Sequence, residues 1–430
     1  MRTMLRRLTL VCSGVVLVAT AVLAAQGPAS DLTIARVRSS DTFKQALAVL
    51  DRDHDRMVAE IVTLTEIPAP PFKEMARAKV YLEMLQASGL TDVEQDEAGN
   101  VMGLRKGTGG GPLIAIAAHL DTVFPEGTDV TVSRVGDRLS APGIGDDTRS
   151  LAVLLAMIRA MNEAGVLTLS DILFVGDVGE EGQGDLRGMK YLFNQGKYKD
   201  QIKMFISMDG TGGGEDITHG GVGSRRYRVT FKGPGGHSYG AFGLVNPGFA
   251  MSGAMQRFGT LTVPETPKTT YSVGVVGGGT SVNSIPFETW MEIDMRSESP
   301  VELQKLDESL VSLINEAVQE ENAARSTAQG AITADLKLIG DRPSGETPQD
   351  APIVQMAAAS IRAAGGQPRF SWRSTDSNIP ISLGIPAITI DSGGSGGRAH
   401  ALDEWITVDK VPSLRGIEIA LATLLGLAGG

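Results

Sequence analysis

The chain has 430 residues, of which 42% are hydrophobic and 21% are charged, as in a soluble globular protein with room for two domains. Its formal net charge of −11 argues against nucleic acid as a partner, because binding a phosphate backbone requires a basic surface. The one cysteine, Cys12, excludes a disulfide framework, so a metal site would have to use His, Asp and Glu side chains.

The first 25 residues have the pattern of a secretory signal peptide. Arg2, Arg6 and Arg7 precede an apolar run over residues 8–25, which ends in small residues suited to cleavage. The run is just long enough that an uncleaved membrane anchor is an alternative. We therefore predict an exported protein, periplasmic or secreted, with no membrane contact after signal cleavage.

The rest of the chain predicts an α/β protein in two parts. Residues 26–221 and 341–430 alternate helical periodicity with buried strands, which indicates a mostly parallel sheet with helices on both faces. Residues 222–340 instead give strand, helix, two strands, helix and strand, the order of a ferredoxin-like α+β unit. We predict that this unit is a lid domain inserted into the first.

The stretch over residues 113–125 is the centre of the first domain. It opens as an unbroken apolar run, typical of a strand buried on both faces, and then reaches His119 and Asp121. An imidazole and a carboxylate just past such a strand lie where open α/β sheets bind ligands. A core histidine beside a surface aspartate is the alternative for this pair alone.

The same pattern recurs along the chain. Carboxylates or imidazoles follow further apolar runs or glycine-rich turns at Asp146, Glu180, Glu181, Asp209 and His400. Each has an ordinary alternative, such as a helix cap for Asp146 or solvated surface charge for the two glutamates. Their recurrence favours convergence on one edge of one sheet.

Two imidazoles and three carboxylates suit zinc, with cobalt or manganese also possible. The predicted ligands are too many for one tetrahedral catalytic ion, and they fit two divalent ions that share Asp146 and lie roughly 3.5–4 Å apart. Asp121 would orient His119, and Glu180 would accept a proton from water held by the ions. The predicted metal ligands are His119, Asp146, Glu181, Asp209 and His400.

These motifs resemble the dinuclear zinc metallopeptidases of the M20 family, from about residue 55 to the C-terminus. The resemblance rests on HLDTV, GIGDD, GEEG, MDG and the late histidine. It implies that the inserted domain mediates a homodimer, that His237 in a Gly-Gly-His turn reaches a substrate carbonyl in the partner's site, and that Asn283 and Arg296 hold the substrate's terminal carboxylate. An aspartate rather than a glutamate at position 209 is more similar to the peptidase T-like, di- and tripeptidase branch. Thr148 stands where many relatives have a lysine.

We therefore predict a hydrolase that cleaves a terminal peptide bond of short peptides. One alternative is an N-acyl-amino-acid deacylase on the same scaffold, and another is a non-catalytic peptide-binding protein. Retention of Glu180 argues against the binding protein, which has no use for a proton acceptor beside a metal. Ordinary roles remain open for three residues: a structural turn for His237, a turn for Asn283, and an ion pair with Asp294 for Arg296.

Overall fold

The computed structural model describes residues 29–430. The predicted signal peptide, residues 1–25, and Cys12 lie outside the described residues. In the described part of the chain, the α-helices are α1 (Ala29–Ser39), α2 (Asp41–Arg52), α3 (His54–Thr65), α4 (Met75–Ala87), α5 (Arg149–Glu163), α6 (Arg187–Asn194), α7 (Pro247–Phe258), α8 (Pro300–Ala324), α9 (Pro352–Ala363), α10 (Asn378–Ser382) and α11 (Lys410–Ala428).

The strands fall into one large sheet and smaller antiparallel ones. In chain order they are β1 (Thr91–Gln95), β2 (Val101–Arg105), β3 (Leu113–His119), β4 (Ser133–Val135), β5 (Arg138–Ser140), β6 (Ile172–Asp177), β7 (Ile202–Met208), β8 (Asp216–Gly221), β9 (Gly223–Lys232), β10 (Gly236–His237), β11 (Thr269–Gly278), β12 (Ser284–Ile285), β13 (Glu288–Ser297), β14 (Thr333–Arg342), β15 (Gly345–Glu346), β16 (Arg369–Arg373), β17 (Ala387–Ile390), β18 (Ser395–Gly397) and β19 (Trp405–Thr407).

The large sheet runs in the order β1-β2-β6-β3-β7-β17-β8-β15, with β16 paired to β8. Its centre is parallel, because β3 pairs in parallel with both β6 and β7, and β17 pairs in parallel with β7. Antiparallel partners close both edges. The predicted fold class, a mostly parallel sheet with helices on both faces, is confirmed.

Strand β3 shows why the apolar run predicted burial on both faces. Ile114 and Ile116 pack into the core on the side of α5, whereas Ala115 and Ala117 pack on the side of α6. Helix α11 is the described helix that is long and apolar enough to cross a membrane, but most of it is buried against α9 and α1. It is therefore a core helix of this domain.

Strands β9, β11, β13 and β14 form a separate four-stranded antiparallel sheet in the order β11-β13-β9-β14, and β10 and β12 form a two-stranded sheet of their own. Helices α7 and α8 cover the four-stranded sheet, with Phe231, Met291 and Leu310 among its buried core residues. This is the strand order of the ferredoxin-like unit that the sequence predicts. The division of the chain at residues 222 and 340 stays a prediction. We call the sheet of β9, β11, β13 and β14 the lid sheet.

Candidate metal centre

The carboxyl ends of the central parallel strands carry most of the predicted ligands. His119 is the last residue of β3, and Asp209 directly follows β7. Glu181 lies in the loop after β6, and Asp146 lies in the turn that precedes α5. His400 comes from the loop between β18 and β19, which belong to a small antiparallel sheet with β4 and β5. The fold thus brings all the predicted ligands to one sheet edge.

The carboxylate of Asp146 lies between the two imidazoles. Its Oδ1 is 2.9 Å from Nε2 of His119, and its Oδ2 is 3.1 Å from Nε2 of His400. Nε2 of His400 is also 2.8 Å from Oε1 of Glu181. Asp146 therefore contacts both imidazoles, and its role as the ligand shared by two ions stays a prediction.

Asp147 adds a carboxylate that the sequence interpretation did not single out. His119, Asp147 and Asp209 place ligand atoms within 4.8 Å of one another, as do His119, Asp146 and Glu181. Asp147 is buried and accepts hydrogen bonds from the backbone N–H of His119 at 3.2 Å and of Gly210 at 3.2 Å. Its place beside Asp146 in the motif was visible, but the direction of its side chain was not.

Burial shifts the pKa values of these groups strongly. It raises the pKa of Asp209 to about 8 and that of Glu181 to about 7. Hydrogen bonds to Asp146 and Glu181 raise the pKa of His400 to about 10. For Asp146, burial is outweighed by the hydrogen bonds to His119 and His400, and the pKa is lowered. The site therefore concentrates negative charge that protons or cations must balance.

The donor set fits divalent cations. Imidazole nitrogens and carboxylate oxygens converge in two groups that share His119, and five of the six residues in question are buried or partly buried. A buried cluster of carboxylates is destabilised by mutual repulsion unless positive charge is bound among them. The residues present thus suit two neighbouring ions, held by His119, Asp146, Asp147, Glu181, Asp209 and His400.

Asp121 supports the site differently from the sequence interpretation. Its carboxylate oxygens accept the backbone N–H groups of Glu180 at 3.0 Å and Glu181 at 2.8 Å. His119 Nδ1 is 3.0 Å from the backbone carbonyl of Asp121 and 3.8 Å from its carboxylate. Asp121 therefore orients the imidazole through its main chain, and it fixes the glutamate loop through its side chain.

Glu404 is a second supporting carboxylate, and the sequence interpretation missed it. It is buried, and it accepts backbone N–H groups from Gly143 at 2.9 Å, Gly145 at 2.8 Å and Asp146 at 2.9 Å. Burial raises the pKa of Glu404 to about 7. This carboxylate holds the turn that presents Asp146, and its place four residues after His400 was the available signal.

Glu180 lies beside the ligands without joining either group. It borders a cavity of about 360 Å³ that is also lined by Asp146, Asp209 and His400. Nη1 of Arg342, at the end of β14, donates to Oε1 of Glu180 at 3.0 Å. Glu180 is thus held at the rim of the ligand cluster and faces the space where a substrate would bind.

Four arginines line the same cavity, and the sequence analysis named only Arg296 among them. They are Arg226, Arg296, Arg342 and Arg373. Nε of Arg296 is 2.7 Å from Oδ2 of Asp294, which is the ion pair considered above as an alternative to substrate binding. Arg296 also lines the cavity. Another cavity, of about 320 Å³, is also lined by Asp146 and Asp209, and Arg373 borders it as well.

His237 and Asn283 lie away from this cavity. They are adjacent to each other on the lid sheet side, where β10 pairs with β12 and the backbone N–H of Ser238 donates to the carbonyl of Asn283 at 2.9 Å. Both side chains are exposed, and neither lines the cavity around the ligands. A single copy of the chain therefore does not bring them to the site, in contrast to Arg296.

The sequence of the chain is similar to a known protein family and to a characterised enzyme. Residues 115–425 match the model of peptidase family M20/M25/M40. Carboxypeptidase G2 of Pseudomonas sp. (strain RS-16) is 24% identical over 371 residues, which cover 83% of this chain and 85% of that protein.

Two solved structures share the fold. A tripeptidase from Staphylococcus aureus has a TM-score of 0.71 at 20% identity, and the match covers 88% of this chain and 99% of that one. The YXEP protein of Bacillus subtilis, a dinuclear metal-binding peptidase of the M20 family, has a TM-score of 0.62 at 18% identity, with 86% and 98% covered.

Proposed function

The chain belongs to peptidase family M20/M25/M40, and from that premise we propose that it is a metal-dependent exopeptidase that hydrolyses the terminal peptide bond of short peptides. The observation that carries the proposal is the position of Glu180. It is next to the ligand Glu181, outside both ligand groups, with its carboxylate on the cavity. A general base is expected at this position, whereas a seventh metal ligand is not needed there.

Divalent ions, which we propose to be zinc, would polarise the scissile carbonyl and lower the pKa of a nearby water. The residues of the chain do the rest. A carboxylate oxygen of Glu180 accepts the proton of the attacking water and delivers it to the amine nitrogen as the C–N bond breaks. Arg342 keeps that carboxylate in place, and Asp121 fixes the backbone on which it stands.

The cavity supports a small substrate. Its volume of about 360 Å³ is that of a site for a short peptide, and its arginines offer partners for a carboxylate. Arg296 is the arginine that the family resemblance relates to the substrate's terminal carboxylate, and its guanidinium borders the space next to the ligands.

We also propose that two copies of the chain form the functional unit. His237 and Asn283 are exposed on the lid side, and the exposed apolar side chains Tyr239, Phe242 and Val282 surround them in sequence. A surface with such large apolar side chains is typical of a protein interface. In a dimer built on it, His237 would donate a hydrogen bond to the substrate carbonyl in the partner's site. Export through the N-terminal segment stays a prediction.

The proposed function is tested by digesting a mixed library of short peptides with the metal-replete protein, followed by mass spectrometry. We expect loss of single terminal residues from di- and tripeptides. The Glu180→Ala variant should lose turnover while elemental analysis still finds two ions per chain. Substantial residual turnover in that variant would refute the role of Glu180. Cleavage of N-acetyl amino acids without cleavage of peptides would favour the deacylase alternative.

A further inference from the structure

A separate cavity of about 480 Å³ adjoins the one around the ligands. The two share Arg296, Arg373 and Ser374 as lining residues. A molecule bound at the ligand cluster could therefore extend past these residues into the adjoining space. We call this adjoining space the side cavity.

The side cavity has one wall from the lid sheet and one from the large sheet. Lys268 and Thr270 line it at the start of β11, and Phe370 and Trp372 line it from β16. Strand β16 pairs in parallel with β8, which is part of the large sheet. The cavity thus lies where the two sheets face each other.

The aromatic wall is firmly packed. A Cβ atom at Gly220 would lie only 2.1 Å from the ring of Trp372, so this glycine lets the indole lie flat on β8. The ring of His219 meets the rings of Phe370 and Trp372 edge to face, each with centroids 5.9 Å apart. Since His219 is buried, the wall is supported from behind and presents a fixed apolar surface.

The charge of the side cavity is predominantly positive. Lys268, Arg296 and Arg373 line it, against the one acidic lining residue, Glu298. Glu298 uses a carboxylate oxygen to accept the backbone N–H of Lys268 at 2.9 Å. Cations around an apolar wall suit a ligand group with methylene carbons and a terminal carboxylate.

Arg373 makes only a long ion pair in the described part of the chain. Its Nη2 is 3.9 Å from Oδ2 of Asp216, and that carboxylate is closer to Nη2 of Arg369, at 3.0 Å. Arg373 borders the side cavity, the cavity at the ligands and the cavity of about 320 Å³ that Asp146 and Asp209 also line. Its guanidinium is therefore available to a substrate group that leaves the reaction centre.

We propose that the side cavity is a substrate subsite for an acidic side chain on the residue next to the scissile bond. The inference rests on the proposed peptidase function and adds the class of substrate, namely short peptides with a glutamate- or aspartate-like residue at that position. Lys268 and Arg373 are the residues that would bind the side-chain carboxylate, and Arg296 lies between the two cavities.

The test measures binding and cleavage separately. Isothermal titration of the metal-loaded Glu180→Ala protein compares the affinity for glycylglycylglutamate with that for glycylglycylglutamine. A second pair, glutamylglycylglycine and glutaminylglycylglycine, carries the same residues at the amino end. We expect the acidic peptide of one pair to bind about three- to tenfold more tightly, since exposed ion pairs contribute modestly. Glu298→Gln in the same background should increase this ratio, because it removes the opposing carboxylate and keeps the oxygen that accepts the Lys268 N–H.

Lys268→Met should bring the ratio of the two affinities close to one. The matched control is Lys305→Met, which removes a lysine from the exposed face of α8, where it pairs with Glu302 at 2.7 Å. This control should leave the ratio unchanged. Because the ratio compares two peptides on one protein, a general loss of folding or metal does not imitate the effect.

The outcomes separate the subsite from the proposed function. Equal affinities for both members of each pair, or a ratio that Lys268→Met leaves unchanged, would overturn the subsite even if neutral peptides are cleaved. If the protein with intact Glu180 cleaves no peptide, the proposed function fails, whereas a ratio that depends on Lys268 still supports the subsite.

Discussion

Arg342 and Glu180 form an ion pair between the lid sheet and the ligand edge of the large sheet. The guanidinium donates through Nη1 to the Glu180 carboxylate at 3.0 Å, and through Nη2 to the Glu180 backbone carbonyl. Both side chains are buried, and Nη1 also donates to Ser374 Oγ at 3.1 Å. Because Arg342 is the last residue of β14, the position of the proposed general base depends on where the lid sheet ends.

Replacing Arg342 should therefore impair turnover more than metal binding. For Arg342→Lys, which keeps the charge but loses the two-pronged contact, we expect kcat to fall by about a hundredfold, as for a misplaced catalytic group. Steady-state kinetics and elemental analysis on the same sample provide the measurement. Arg257→Met, which breaks a surface pair with Glu320, is the control and should keep its kcat. An unchanged kcat in Arg342→Lys would show that the pair does not position the base.

Glu404 should control metal affinity through Asp146. Glu404→Gln leaves one acceptor oxygen for three backbone N–H groups, so the turn that presents Asp146 loses its support. We expect the affinity for the divalent ion to fall by about 10- to 100-fold, as is usual when a residue that holds a ligand is removed. Titration against a chelating indicator measures it. Asp403→Asn changes the neighbouring exposed acid and should have no effect; equal affinities for all three proteins would contradict the prediction.

Much of the fold and of the ligand set was predictable because the signals are local. Residues 113–118 are apolar without interruption, which is typical of a strand buried on both faces. The carboxyl ends of parallel strands meet at one edge, so His119 and Asp209 had to be neighbours once the strands were assigned. Topology thus supplied the contact that sequence distance concealed.

The supporting contacts were not predictable because they join distant positions without a local pattern. Arg342 is 162 residues from Glu180, and one arginine at a strand end has no signature of its own. Asp121 was expected to contact His119 with its side chain, since two residues separate them. A short spacing does not fix a side-chain direction, and its carboxylate instead accepts the N–H groups of a loop about 60 residues away.

Asp391 should make a pH-dependent contribution to stability. It is buried after β17 and accepts the backbone N–H groups of Gly214 and Gly393, each at 3.0 Å. Burial raises its pKa and outweighs the hydrogen bonds from Gly393 and Gly214, which oppose the shift. The folded state then binds a proton more tightly than the unfolded state, so the contribution is full at low pH and is lost as the pH rises through the folded pKa.

We therefore compare wild type with Asp391→Asn by urea unfolding at about pH 4.5 and about pH 7.5, at a constant free metal concentration. The free energy of unfolding of wild type minus that of the variant should decrease toward the higher pH. Asp55→Asn, at a fully exposed position of α3, should give a difference that is near zero at both pH values. A difference that grows with pH would mean that Asp391 is stabilised in its charged form.

His237 should act in the site of the partner subunit rather than in its own. The imidazole is exposed on β10, its Nδ1 accepts the backbone N–H of Tyr239 at 3.2 Å, and it does not line the cavity of its own chain. His237→Ala should thus lower turnover by about 10²–10³-fold without loss of metal, if the imidazole stabilises the oxyanion.

Heterodimers of His237→Ala with Glu180→Ala, purified through two different tags, contain one complete site of two. We expect them to recover about half of the wild-type turnover, because one subunit supplies Glu180 and the other His237. Heterodimers of Glu180→Ala with Glu180→Gln should stay inactive. If the mixed heterodimer is also inactive, or if light scattering finds a fully active monomer, His237 does not act across a subunit interface.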